Sequence, residues 1–346
     1  IVFGHIGDKY GRKKAIVPAI MLMTIATVCI GLLPAKANYF TVTALVICRL
    51  VQGFAVSGES SGVVTFISEL STPRKNFFYQ GFAASGTVGG FLLGSLVAKL
   101  AFHNILAIAS WRLPFLCSFI LGLFGIYLRL KISNKTFLQT KSQQQKYTIP
   151  LIELINKHAT IVLFIILYSM SGTVGFYFVS TYIPSYLHHL QFKPQEYLTI
   201  ILIGNMIIFI GTPICGFIMR YLNIMKIAIL SMILYIILPI PVLIGITYYK
   251  LNINIILLLY IPLLMGFTLI NVITAALFPN KIRYTGVAFT DNINVCLFGG
   301  TTPLICWYLT KITGLYITPA IYFSSISIIS LIALYLFKSK ITEIIN

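Results

Sequence analysis

Three groups of residues in this 346-residue chain could do chemistry, against a background in which only 9% of positions are charged. The first is GHIGDKYGRKKAI, Gly4 to Ile16, where Asp8 stands among Lys9, Arg12, Lys13 and Lys14 and the glycines Gly4, Gly7 and Gly11. The second is Arg49, Gln52 and Glu59 inside an apolar run, and the third is Asp291, preceded by Arg283. A charge inside a lipid-buried helix costs at least about 2.5 kcal/mol on insertion scales, so it is retained for a pathway, a pair or a proton. Glu59 is therefore a candidate for proton or substrate coupling, or else a static polar anchor. Arg49 stays charged and presents a planar fork suited to a carboxylate, or tethers helices through backbone carbonyls. On one helix the two lie nearly three turns apart, roughly 15 Å, which is too far for contact, so each needs partners elsewhere. Asp291 is a second proton site or a local partner for a basic residue.

Other chemistry finds little support. The six cysteines all fall in apolar runs, without a CxxC pair or a histidine at ligand spacing, and read as small buried hydrophobes rather than metal ligands. His188 and His189 fall in a connecting loop and read as solvated. A nucleophile-and-base constellation is not visible, so the chain is not expected to be an enzyme or to need a cofactor. A channel reading lacks any filter-like carbonyl sequence.

The elements that must position these groups follow from composition. Hydrophobic residues make up 58% of the chain, above the near-half of soluble domains. Apolar runs of about 18 to 25 residues, each enough to cross a bilayer as a helix, recur at 15–35, 41–68, 78–101, 112–131, 160–187, 197–220, 225–248, 253–278, 286–310 and 315–337. Helices are expected because backbone groups in lipid must be satisfied within the segment, and these runs lack the alternation of barrel strands. The net charge of +18 would point to nucleic acid in a soluble protein. Here the basic residues favour alternate connections by roughly three to one, which places the first loop, the central segment and the C-terminus in the cytoplasm. The partners expected are therefore the lipid bilayer, protons and a small molecule, without nucleic acid and without a required oligomer.

The longest polar segment, Ser133 to Lys157, divides the chain into an N-terminal bundle at 1–131, a cytoplasmic linker at 132–158 and a six-helix bundle at 159–346. Two landmarks recur at nearly the same offset: Gly4 with Lys14 reappears as Gly216 with Lys226, and Arg74 with Gly89 and Gly90 as Arg283 with Gly299 and Gly300. Parallel repeats of this kind are one plan for transporters. Gly86, Gly89, Gly90 and Gly94 read as helix-packing contacts.

The ordered pattern GxxGDxxGRKK resembles the loop signature of the major facilitator superfamily. CRLVQGFAVSGESSGVVTFISELSTPRKNFFYQGF, SWRLPFLCSFILGLFGIYLR and LFPNKIRYTGVAFTDNINVCLFGGTTPLI resemble helices and loops of its metabolite:proton symporter branch, which includes proline and glycine betaine carriers. The resemblance implies an all-α, two-bundle fold, about ten complete spans of an expected twelve, with the first helix and most of the second missing. It implies proton-coupled uptake of a small zwitterion by alternating access across a bacterial inner membrane, driven by the proton gradient. An organic-acid:proton symporter, or a degenerate fragment that does not transport, is the alternative. Asp8 and Arg12 would latch the cytoplasmic side, with Gly4, Gly11, Lys13, Lys14 and Arg283 forming the same gate. Glu59, Arg49, Gln52 and Asp291 would serve proton or substrate coupling. The second copy of the signature, GFIMRYLNIMK, departs from the pattern at Arg220, Asn223 and Ile224, which implies a weaker second gate.

Overall fold

The computed structural model describes residues 2–34, 36, 38–102, 112–131, 150–339 and 341, with the side chains of Arg12, Ser57, Pro73, Arg74, Ala98, Ala101 and Phe102 left aside. The larger part of the expected linker, 132–149, lies outside the described residues. Regular structure among the described residues is helical throughout. In chain order it comprises α1 (Val2–Tyr10), α2 (Arg12–Leu32), α3 (Tyr39–Leu70), α4 (Pro73–Phe102), α5 (Arg112–Lys131), α6 (Pro150–Tyr177), α7 (Ile183–His189) and α8 (Pro194–Met219). It continues with α9 (Ile224–Ile237), α10 (Pro239–Thr247), α11 (Tyr260–Leu277), α12 (Arg283–Asn294), α13 (Thr302–Thr313) and α14 (Thr318–Leu336). A 3₁₀ turn, Ile253–Leu259, leads into α11, and π-turns at Phe178–Tyr182 and Val295–Gly299 follow α6 and α12.

Nine helical stretches among the described residues are long and apolar enough to cross a membrane. The expected span at 78–101 folds within the 30-residue α4. Helix ends follow local chemistry. Proline occupies one of the first two positions of α7, α8, α10, α13 and α14, where its missing N–H costs nothing. Gly314 closes α13 in the left-handed conformation, φ 68°, its N–H bonded to the Thr310 carbonyl.

Two compact units emerge, and they do not follow chain order. One comprises Ile1–Phe66, Leu100–Ala159 and Pro279–Phe289; the other comprises Ile67–Lys99, Thr160–Phe278 and Thr290–Asn346. In the first unit α2 and α5 run against each other, tied at one end by Lys13 Nζ donating to the Leu130 carbonyl at 2.8 Å and at the other by Arg112 Nη2 donating to the Leu33 carbonyl at 2.9 Å. In the second unit α4 lies on α8, where Ser85 Oγ donates to the Phe209 carbonyl at 2.7 Å. The buried aromatic rings of Tyr168, Tyr235, Tyr260 and Phe323 fill its interior.

The structure corrects two sequence expectations. Gly86, Gly90 and Gly94 face open space, whereas a Cβ on Gly81 would lie 2.5 Å from the Thr212 carbonyl oxygen and one on Gly89 would meet the Phe209 ring at 3.1 Å. The packing ridge is therefore Gly81, Ser85 and Gly89. Of the six cysteines only Cys306 is buried; Cys29, Cys117 and Cys296 are exposed, as a small apolar side chain is free to be when lipid is the solvent. Gly216 of the second signature belongs to the same close approach, since its Cβ would lie 2.4 Å from the Phe77 carbonyl oxygen. Gly81→Ala and Gly216→Ala are each expected to destabilise the protein by about 1–3 kcal/mol through overpacking. Gly86→Ala is expected to be neutral or stabilising. Thermal melting of the purified protein in detergent checks this; equal melting temperatures for all three variants would refute it.

Candidate functional site

The Gly4–Lys14 motif forms one end of the first unit. Helix α1 stops at Tyr10, and Gly11 takes φ 103°, a backbone region that side chains disfavour, so the chain can turn at once into α2. Asp8, half-buried in the last turn of α1, accepts two hydrogen bonds from one residue: the Thr285 backbone N–H at 2.8 Å and the Thr285 hydroxyl at 2.6 Å. Thr285 lies in the first turn of α12, where backbone N–H groups lack intrahelical partners and the helix dipole favours negative charge. Beside it Tyr284 is fully buried against Phe3, Ala15 and Ala19, and its hydroxyl donates to the Gly58 carbonyl.

The glycines of the motif make room for this docking. A Cβ on Gly4 would lie 2.9 Å from the Thr285 Cα, one on Gly7 would lie 1.9 Å from the Tyr284 ring, and one on Gly58 would lie 2.6 Å from the Phe3 ring. Lys13 is spent on the Leu130 carbonyl, at the end of α5 where a cation is favoured. Lys14 is exposed, Arg283 is half-buried as the first residue of α12, and the side chain of Arg12 lies outside the described residues. Nearby, Lys281 pairs with Glu153 of α6 at 2.8 Å.

Deeper in the same unit two polar groupings interrupt the apolar helices. Arg49 Nη1 donates to Gln52 Oε1 at 3.2 Å, Gln52 Nε2 donates to Thr27 Oγ1 at 2.8 Å, and Thr27 donates to the Met23 carbonyl at 2.7 Å. The chain of bonds leaves Arg49 exposed while burying Gln52. Glu59 does not meet Arg49; it pairs with Arg129 of α5 at 2.6 Å, the two side chains being 38% and 23% exposed. Arg129 also donates to the Gly125 carbonyl at 3.4 Å. Asp291, in α12, is half-buried and has no hydrogen bond or ion pair among the described residues.

The sequence brings out Asp8, Arg49, Gln52 and Glu59 but not their partners Thr285, Thr27 and Arg129. Arg129 carried a signal: it is a cation in the last turn of a spanning helix, and Glu59 is a carboxylate with nothing in its own helix to meet it. The second copy of the signature is built differently. Asn223 caps α9 by accepting from the Lys226 N–H at 3.2 Å, and the Arg220 guanidinium lies 4.4 Å and 4.5 Å from the ring centroids of Phe217 and Tyr221. It is a capped turn with a stacked cation, and no acidic residue takes part.

A sequence profile described as Major Facilitator Superfamily matches residues 1–303. The proline/betaine transporter of Salmonella typhimurium is 31% identical over 96% of this chain and 70% of its own length. The glycine betaine/proline/ectoine/pipecolic acid transporter OusA of Dickeya dadantii is 29% identical with the same coverage. Among solved structures, a double-tryptophan mutant of XylE superposes with a TM-score of 0.77 at 16% identity, covering 98% of this chain and 82% of that one. The organic anion transporter MFSD10 from human gives 0.69 at 14% identity, covering 96% and 79%.

The hydrogen bonds at Thr285 give a direct check. Asp8→Ala removes both and is expected to speed amide exchange at Thr285 by about tenfold or more, a charge-assisted bond being worth roughly 1.5–3 kcal/mol. Thr285→Val keeps the backbone bond and is expected to have the smaller effect at that amide. Unchanged exchange in Asp8→Ala, followed by mass spectrometry, would remove the carboxylate from the account.

Proposed function

Because the chain belongs to the major facilitator superfamily, and is a multi-pass membrane transporter rather than an enzyme, we propose that it takes up a small zwitterion, proline or glycine betaine, in symport with protons across a bacterial inner membrane. The observation that carries the substrate reading is Arg49. Its guanidinium presents five N–H donors, and one hydrogen bond, to Gln52, is described for it. A permanent cation held by Gln52 and Thr27 within a spanning helix is suited to the carboxylate of a zwitterion. The names of the relatives support the same class of substrate.

Glu59 is the group assigned to the proton. Neutralising it dissolves the ion pair with Arg129 and frees α3 from α5, so protonation and helix movement are linked through one contact. Asp8, Gly4, Gly11 and the basic residues after them serve as the cytoplasmic gate, with Thr285 and Arg283 on its other side. A carboxylate at a helix N-terminus is stabilised by some tenths to about 2 kcal/mol, and substrate binding of ordinary differential affinity can overcome that.

Uptake into proteoliposomes under an imposed pH gradient tests the reading, with radiolabelled glycine betaine, proline, oxoglutarate and citrate compared. The expected result is saturable accumulation of betaine or proline that collapses when the gradient is dissipated. Accumulation of oxoglutarate or citrate instead would overturn the substrate class. Glu59→Gln is expected to abolish proton-driven accumulation while leaving downhill exchange; wild-type accumulation in that variant would remove Glu59 from the coupling role.

A further inference from the structure

Asp291 has no stated function in the gate or in the Arg49 grouping, and its surroundings in the second unit are distinctive. It lies in the membrane-spanning stretch Arg283–Thr313, half-buried, and is bonded to nothing among the described residues. One turn further on is Asn294, only 2% exposed. Residues three apart are neighbours on a helix surface, so the carboxylate and the amide share one side of α12.

The orientation of that amide is fixed by its partners. Asn294 Nδ2 donates to the Thr290 carbonyl at 3.1 Å and to Ser169 Oγ at 2.7 Å. A carbonyl only accepts, so the nitrogen must face Thr290 and the oxygen must face away. Ser169 has spent its own hydrogen on the Ile165 carbonyl at 2.6 Å, and Asn294 Oδ1 is left buried without a donor. Proteins keep such an acceptor only for a reason, because burying it unpaired is destabilising.

The backbone nearby is irregular on both sides. The π-turn Val295–Gly299 begins at the residue after Asn294, and the π-turn Phe178–Tyr182 interrupts the helix that carries Ser169. Gly299 of the first approaches the residue just before the second, since a Cβ on it would lie 2.7 Å from the Tyr177 ring. π-turns loosen the helix ladder and are frequent at functional sites.

We infer that Asp291 and Asn294, with Ser169 orienting the amide, form an ammonium subsite that sorts amines by their N–H groups. Asp291 attracts any cationic end. Asn294 Oδ1 rewards only one that brings a hydrogen, so a secondary ammonium zwitterion engages both groups and a quaternary one engages Asp291 alone. The inference rests on the reading that the chain carries small zwitterions.

The test compares proline, whose ammonium bears N–H, with glycine betaine, which has none, in uptake by the chain in proteoliposomes and in equilibrium binding to the purified protein. Asn294→Leu is expected to lower proline kcat/KM and affinity about tenfold or more and to change those for betaine less than twofold. Ser169→Ala is expected to shift the same ratio in the same direction, and Asp291→Asn to weaken both compounds. Equal losses for the two compounds in Asn294→Leu would mark a merely structural role and overturn the inference, as would no change for either. A wild-type chain that binds both compounds but transports neither would sink the transport reading, while the binding ratio still decides the subsite.

Discussion

The contact on which the rest depends is a carboxylate meeting the start of a helix. Asp8 takes both the amide and the hydroxyl of Thr285, and everything around it is arranged so that α12 can come that close. Two glycines clear its path, Gly11 turns the chain out of the way, and Tyr284 seals the junction from the apolar side. A carboxylate placed at a helix N-terminus is stabilised by some tenths to about 2 kcal/mol, a strength that suits the proposed gate.

Two further charges within the helices are shared with a neighbour. Glu59 is shared with Arg129, and Arg49 is steadied by Gln52 and Thr27 with donors to spare. Asp291 forms no hydrogen bond or ion pair among the described residues, and Asn294 Oδ1 is one of several buried polar atoms there without a donor.

Much of this was legible in the sequence because a bilayer imposes a length and a polarity on any segment that crosses it, and neither needs tertiary information. The spans at 112–131 and 225–248 and the turn at Gly11 are of this kind. Partners were harder to read: Arg129 carried a signal as a cation in a spanning helix, but that it meets Glu59 follows only from the packing of the helices. Spacing misled where its phase mattered: Gly86, Gly90 and Gly94 have the four-residue period of a packing face, yet the face in use is Gly81, Ser85 and Gly89. Asn294 was invisible because an amide in an apolar run is ordinary, and only the direction of its hydrogen bonds shows an oxygen without a donor.

The central claim is that the Asp8–Thr285 contact opens and closes as the protein works. The most direct measurement is the distance distribution between spin labels at Lys14→Cys and Lys281→Cys, both exposed positions flanking the contact, in a background with the native cysteines replaced. The account predicts a short distance without substrate and a second, longer population when substrate is added. A single distribution that does not change while uptake proceeds would contradict it.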